Sequence, residues 1–297
     1  MNNINLNKIH TLLIFFLILF VYFVNLELDL KISPVVCFFL IATVGVSHGG
    51  LDHKKGSKVL KIFNLKNMKF FYLIYILFSL FIILMWLVLP ALTLFIFLII
   101  ASYHFGKEDS VFENRPNIKL FNIFLLTKGV LIILAPFYFH SQETIKIFED
   151  LNVKPLPIDS NILICLITLS LISNLVISRN FFLSLLDSLT IILLNLTFEP
   201  LTAFTIYFCF LHSIRHSFSL INEINSKNFK KGLFVFSKRA LPLTFLTGII
   251  FLISLFILNK YYLLNSAIVK VIFIGLASLT FPHILLEYLL EKNEKKS

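Results

Sequence analysis

The sequence predicts an all-α fold: a polytopic transmembrane bundle of about ten helices, one integral membrane domain over residues 1–297, with both termini cytoplasmic. Three observations predict it. Hydrophobic residues make up 58% of the chain and charged residues 14%, where soluble domains carry roughly 25% charged. Apolar runs of about 20 residues, the length that crosses a hydrocarbon layer, recur along the whole chain. The lysines and arginines are distributed unevenly over the segments between those runs.

Each element has its own justification. The first run, near 10–26, has the look of a signal peptide. Asn25-Leu-Glu-Leu-Asp29 follows it where a small-x-small cleavage site would stand, so it is read as the first span. The second, near 33–50, finishes on Gly49-Gly50, residues suited to a helix C-terminus. The third and fourth, near 68–89 and 90–106, meet at Leu89-Pro90. Proline fits the first turn of a helix, so this is a tight join between antiparallel neighbours. Spans near 120–139, 161–178 and 181–198 follow, and the eighth, near 200–219, opens on Pro200 in the same way. The last two lie near 241–259 and 264–290.

Orientation follows from charge. With the N-terminus inside, 19 of the 26 lysines and arginines fall on inner segments, five on outer segments and two, Lys128 and Arg215, within spans. The inner group includes Lys66, Arg115, Lys119, Arg179, Lys295 and Lys296. This is the positive-inside pattern of a multi-pass protein of the cell (inner) membrane. The net charge of +10 therefore reports topology. No soluble basic domain or motif offers a surface to nucleic acid. Cys37, Cys165 and Cys209 lie in apolar runs without paired spacing, so neither a disulfide nor a zinc knuckle is expected.

The eighth span carries the chemistry. Within Tyr207-Phe-Cys-Phe-Leu-His212-Ser-Ile-Arg215-His216, two histidines stand four residues apart. On a helix this puts both imidazoles on one face, about 6 Å apart along the axis, a common way to offer two metal ligands. Ionisable groups inside a span are costly and point to function. In the predicted topology His48, His104, His212, His216 and His283 all gather at the cytoplasmic third, with His53 just beyond. His10 and His140 fall elsewhere and take the ordinary reading of interfacial or hydrogen-bonded residues. Small residues beside the histidines (Ser47, Gly49, Gly50, Ser102, Gly106, Ser213, Ser217) allow close helix approach.

A ligating imidazole passes its second N–H to a carboxylate or carbonyl. Asp52, Asp109, Asp187 and Glu287 lie at the right depth, Glu287 four residues after His283 on one helical face. Asp52 and Asp109 also suit helix ends. Lys128 either pairs with Asp187 or snorkels. Arg215 either binds a carboxylate among the helices or reaches the inner surface. A histidine-only set adds no negative charge and leaves iron, copper, nickel and zinc open. His-Glu-x-x-His and Gly-rich phosphate loops are absent from the sequence, which sets aside proteases of that type and nucleotide enzymes.

The blocks Ser47-His48-Gly-Gly-Leu-Asp52-His53, Tyr103-His104-Phe-Gly-Lys-Glu-Asp109, Phe208-Cys-Phe-Leu-His212-Ser-Ile-Arg215-His216 and Phe281-Pro282-His283 resemble, in order and spacing, the bacteriorhodopsin-related-protein type of β-carotene 15,15′-dioxygenase. The resemblance spans about residue 35 to 290. Ser47 departs from it, standing where many members carry proline.

The resemblance implies a membrane enzyme that splits the central double bond of β-carotene with O2 into two molecules of retinal. It implies non-haem Fe(2+) on His48, His104, His212 and His216. His283, Asp52, His53, Asp109, Asp187, Arg215 and Glu287 are then supporting or substrate-side residues, and a retinal-binding rhodopsin is a functional neighbour. A C40 hydrocarbon dissolves in the bilayer, so the site is expected to open sideways to lipid. Phe105, Tyr207, Phe208 and Phe210 are candidates to line the tunnel. Two other classes fit the histidines taken alone: a haem-binding electron-transfer protein and a transporter with a histidine proton relay.

Overall fold

The computed structural model describes residues 3–65, 67–110, 121–155, 158–178 and 180–294. Lys66, Arg115, Lys119, Arg179, Lys295 and Lys296 of the charge pattern, and the side chain of His48, lie outside the described residues. The regular structure is helical throughout. In chain order the helices are α1 (Asn3–Leu28), α2 (Pro34–Thr43), α3 (Asp52–Ile62), α4 (Met68–Val88), α5 (Pro90–Glu108), α6 (Phe121–Phe139), α7 (Ser141–Asp150), α8 (Ser160–Ile177), α9 (Phe181–Thr197), α10 (Pro200–Ile206), α11 (Ile214–Ile224), α12 (Phe229–Leu258) and α13 (Leu264–Glu294). Six of them, α1, α4, α5, α6, α12 and α13, are long and apolar enough to cross a membrane. A seventh is reached if the pair 34–47 and 49–62, bent by 42°, is one span.

The differences from the sequence reading have physical causes. Helices α3 and α7 fall in segments read as connections, because hydropathy detects apolar runs and both are polar. Helix α3 carries four lysines and turns an apolar edge, Val59 and Leu60, into the protein. The Gly49-Gly50 pair does not end a helix. A 3₁₀ turn, Gly45–Leu51, carries the chain from α2 into α3. A Cβ on Gly50 would stand 2.9 Å from Ala240 Cα, so the glycine is needed for the turn to lie against α12. Helix α12 starts well before residue 241, where the Asn228 side chain accepts from the Lys231 N–H as an N-cap.

Helices α2 and α13 supply the centre of the core, with Phe38, Ile41, Ile268, Ile272 and Ala277 fully buried. Helices α1, α4 and α12 turn Phe20, Leu87 and Phe245 outward, as lipid-facing helices do. At the contact of α5 with α6 the backbones nearly touch. A Cβ on Gly106 would lie 1.7 Å from the Leu125 carbonyl oxygen, and one on Gly129 1.8 Å from that of Ser102. This contact fixes the C-terminal end of α5, which carries His104 and Glu108 and is capped by Asp109.

The eighth predicted span is one continuous helix with an irregular middle. Between α10 and α11 the segment Tyr207–Ser213 is π-helical, a wider winding that appears at functional sites. It holds the fully buried His212. Arg215, one turn on, donates to both oxygens of Asp187 on α9, at 3.1 and 2.5 Å, and to Thr11 on α1 at 2.7 Å. Arg215 thus binds a carboxylate, and the pair holds the π-containing helix against α1 and α9. Lys128 is buried rather than snorkelling, and donates to the Asp109 main-chain carbonyl at 2.8 Å.

Candidate metal centre

Four imidazoles from distant stretches of chain meet inside the bundle. His104 comes from α5, His212 and His216 from the π segment and α11, and His283 from α13. The His104 ring centroid lies 5.1 Å from that of His212, 6.5 Å from His216 and 5.4 Å from His283. His216 and His283 are 5.8 Å apart. The rings of His212 and His216 lie within 15° of parallel, with centroids 6.5 Å apart. All four side chains are buried. The sequence reading put His283 at the edge of such a centre; the fold puts its ring inside the cluster.

Carboxylates stand around the rings. His283 Nδ1 donates to Asp52 at 2.8 and 3.0 Å, and His216 Nδ1 to Glu108 at 2.8 Å. His212 Nδ1 is 3.5 Å from Asp109, whose other oxygen accepts the Tyr207 hydroxyl. Glu287 reaches furthest in, 3.4 Å from His283 Nε2 and 3.8 Å from both His216 Nε2 and His104 Nδ1. Lys55 on α3 pairs with it at 2.5 Å.

Asp52, Glu108, Asp109 and Glu287 thus all touch the cluster, Glu108 in addition to the carboxylates expected at this depth. Gathered buried carboxylates are costly without a nearby cation, and Lys55 offsets one of them. Candidate ligand atoms of His104, His283 and Glu287 lie within 4.8 Å of one another, as do those of Glu108, His216 and Glu287. Imidazoles backed by carboxylates suit a first-row dication.

The other predicted residues fall as follows. Asp187 stands away from the rings, paired with Arg215. His53 is half-buried, donates from Nδ1 to the Gly50 carbonyl at 3.1 Å and lines a cavity beside the cluster. His140 donates to the Asn195 carbonyl at 2.7 Å, and His10 packs edge-on against Phe218.

Glu108, Lys55 and Tyr75 were missed. Glu108 was within reach of sequence reasoning, since His104–Glu108 repeats the four-residue spacing of His283–Glu287. Lys55 and Tyr75 carry no local signal. They join the site only because α3 and α4 pack against α13.

The cavity beside the rings has a volume of about 230 Å³. Its inner wall includes His104, His283, Phe105 and Phe208, and its rim Tyr72 and Ile76 of α4 and Leu246 of α12. These rim side chains are exposed on outward helix faces, so the mouth opens sideways between α4 and α12. Of the aromatics expected along a tunnel, Phe105 and Phe208 line this cavity, whereas Tyr207 is turned to Asp109. A second cavity, about 320 Å³, reaches His104 from the side of α4, α5 and α13, with the Lys107–Glu291 ion pair at its edge.

Comparison with known proteins gives the chain a family. The profile of the family "Beta-carotene 15,15'-dioxygenase" matches residues 39–291. A relative from an uncultured marine bacterium, 66A03, named "Beta-carotene 15,15'-dioxygenase", is 30% identical over 213 residues, 68% of this chain and 74% of the relative. No solved structure matches the chain. A profile match over most of the chain, including the helices that bring the four imidazoles together, places this protein in the β-carotene 15,15′-dioxygenase family.

Proposed function

We propose that this protein is an iron-dependent dioxygenase that cleaves the central 15,15′ double bond of β-carotene with O2 to give two molecules of all-trans-retinal. One observation carries the reading: buried imidazoles from three separate stretches of chain meet beside an apolar cavity whose mouth opens sideways between the exposed apolar faces of α4 and α12. The names of the family and of the marine relative support the reaction and the substrate.

The residues proposed to hold Fe(2+) are His104, His212 and His216, together with His48. Iron bound there would supply the activation of dioxygen. The protein's own groups do the rest. Glu108 holds the Nδ1–H of His216, which turns the opposite nitrogen of that ring inward. Phe105 packs edge-on against the His212 ring at 4.8 Å and Phe208 stacks on it at 5.7 Å, so the imidazole cannot rotate away. The apolar wall of the lateral cavity excludes water and accepts a polyene from the bilayer. The carboxylates around the rings stabilise a dication in a setting where a cation is otherwise costly.

The same reading takes the chain as one integral membrane domain, multi-pass in the cell membrane. It has about ten apolar helices, six of which among the described residues are long enough to cross alone, both ends cytoplasmic, and a retinal-binding rhodopsin as the user of its product.

Expression in a bacterium that makes β-carotene tests the proposal. The expected result is loss of orange colour with appearance of retinal. Intact β-carotene in cells that contain folded protein and iron would overturn it. A Soret band that follows the purified protein would favour a haem protein instead.

A further inference from the structure

His283 is held as metal-ligating histidines are held. Its Nδ1 donates to Asp52 at 2.8 and 3.0 Å. The two nitrogens of an imidazole lie on opposite sides of the ring, so Nε2 faces the other way, toward Glu287 at 3.4 Å. The ring stands at 90° to His104 and 74° to His216, with centroids 5.4 and 5.8 Å away. Candidate ligand atoms of His283, His104 and Glu287 share one 4.8 Å neighbourhood. Asp52 is in turn held from behind, since the Tyr75 hydroxyl donates to its Oδ2 at 2.8 Å. Tyr75 belongs to α4 and lines the lateral cavity.

We infer that His283 is a further metal ligand of this centre, oriented by a relay from Tyr75 through Asp52. The inference rests on the metal-centre reading proposed above and extends its ligand set. A carboxylate that takes the outer N–H of an imidazole fixes the tautomer and makes the inner nitrogen more basic. Asp52 is therefore a positioning residue. Its neighbour Tyr75 is a second one, and ties the orientation of His283 to the wall of the cavity that would hold the polyene. The sequence places His283 at the level of the other histidines but gives no hint of the relay, which is assembled from α3, α4 and α13.

The test uses the full-length protein in lipid nanodiscs, loaded with cobalt(II), with visible absorption and metal stoichiometry as readouts. The variants are His283→Gly, Asp52→Ala and Tyr75→Phe, beside His212→Ala. In His283→Gly the cobalt bands are expected to shift, and added imidazole to restore them. Asp52→Ala is expected to lower metal affinity about 10–100-fold, and Tyr75→Phe to lower it less, with bands moving in the same direction. Wild-type bands and affinity in both His283→Gly and Asp52→Ala, with His212→Ala unable to bind, would overturn the inference and leave the metal centre standing. Wild-type behaviour of His212→Ala as well would overturn the centre itself. If His283→Gly fails to fold, Tyr75→Phe decides: unchanged bands and affinity in that variant count against the relay.

Discussion

The Arg215 guanidinium and the Asp187 carboxylate meet in a two-pronged contact, 3.1 and 2.5 Å, with both side chains buried. Arg215 lies between His212 and His216 on the sequence, yet its side chain faces away from the rings, toward α9 and α1. Removing one partner leaves an unpaired buried charge, which costs about 3–5 kcal/mol. Arg215→Met is therefore expected to lower the thermal unfolding midpoint in detergent sharply. Combining it with Asp187→Leu is expected to recover much of the loss, because an apolar pair of similar size needs no charge partner.

His212→Ala is expected to abolish iron binding and cleavage together. Iron per chain by mass spectrometry and retinal formation by chromatography measure the two. A variant with full iron and full activity would remove His212 from the centre.

Glu108→Ala removes the acceptor of the His216 Nδ1–H. Metal affinity is expected to fall about 10–100-fold, while Glu143→Ala, exposed in the first turn of α7, should leave it unchanged. Competition with a chelator of known affinity reads the difference.

Gly129→Val places side-chain carbon where the Ser102 carbonyl already stands, 1.8 Å from an ideal Cβ. Overpacking typically costs about 1–3 kcal/mol, and here the neighbour is backbone that cannot rotate aside. The expected outcome is a forced separation of α5 from α6, seen as reduced yield of folded protein and lower metal occupancy.

Leu246→Trp adds bulk at the mouth of the lateral cavity, on an exposed face of α12. The expected change is a higher KM for β-carotene at unchanged iron content. An unchanged KM would argue against entry between α4 and α12.

That His104, His212, His216 and His283 share a level was legible because alternation of the apolar runs sets which helix ends lie together. The pairing of His212 with His216 was legible from spacing alone, and their rings do lie nearly parallel on one side of the helix. The π winding under His212 was not legible, since no glycine or proline marks Tyr207–Ser213. The carboxylate surroundings were half legible. Asp52, Asp109 and Glu287 stood out by depth, whereas Glu108 was legible only through its four-residue spacing from His104. Lys55 could not be matched to Glu287, 232 residues away, until the packing of α3 on α13 was known. Asp187 misled in the opposite way: its depth is right, but its side chain turns to Arg215.

The sideways mouth between α4 and α12 has a consequence for how turnover is supplied. On the proposed reading, a ligand arriving through it comes from the bilayer without dissolving in water, so its working concentration is a mole fraction within a two-dimensional film. Supply then scales with how heavily that film is loaded and how fast pigments diffuse in its plane. Thinning the film with added phospholipid would slow the protein even when the total amount of pigment in the tube stays constant.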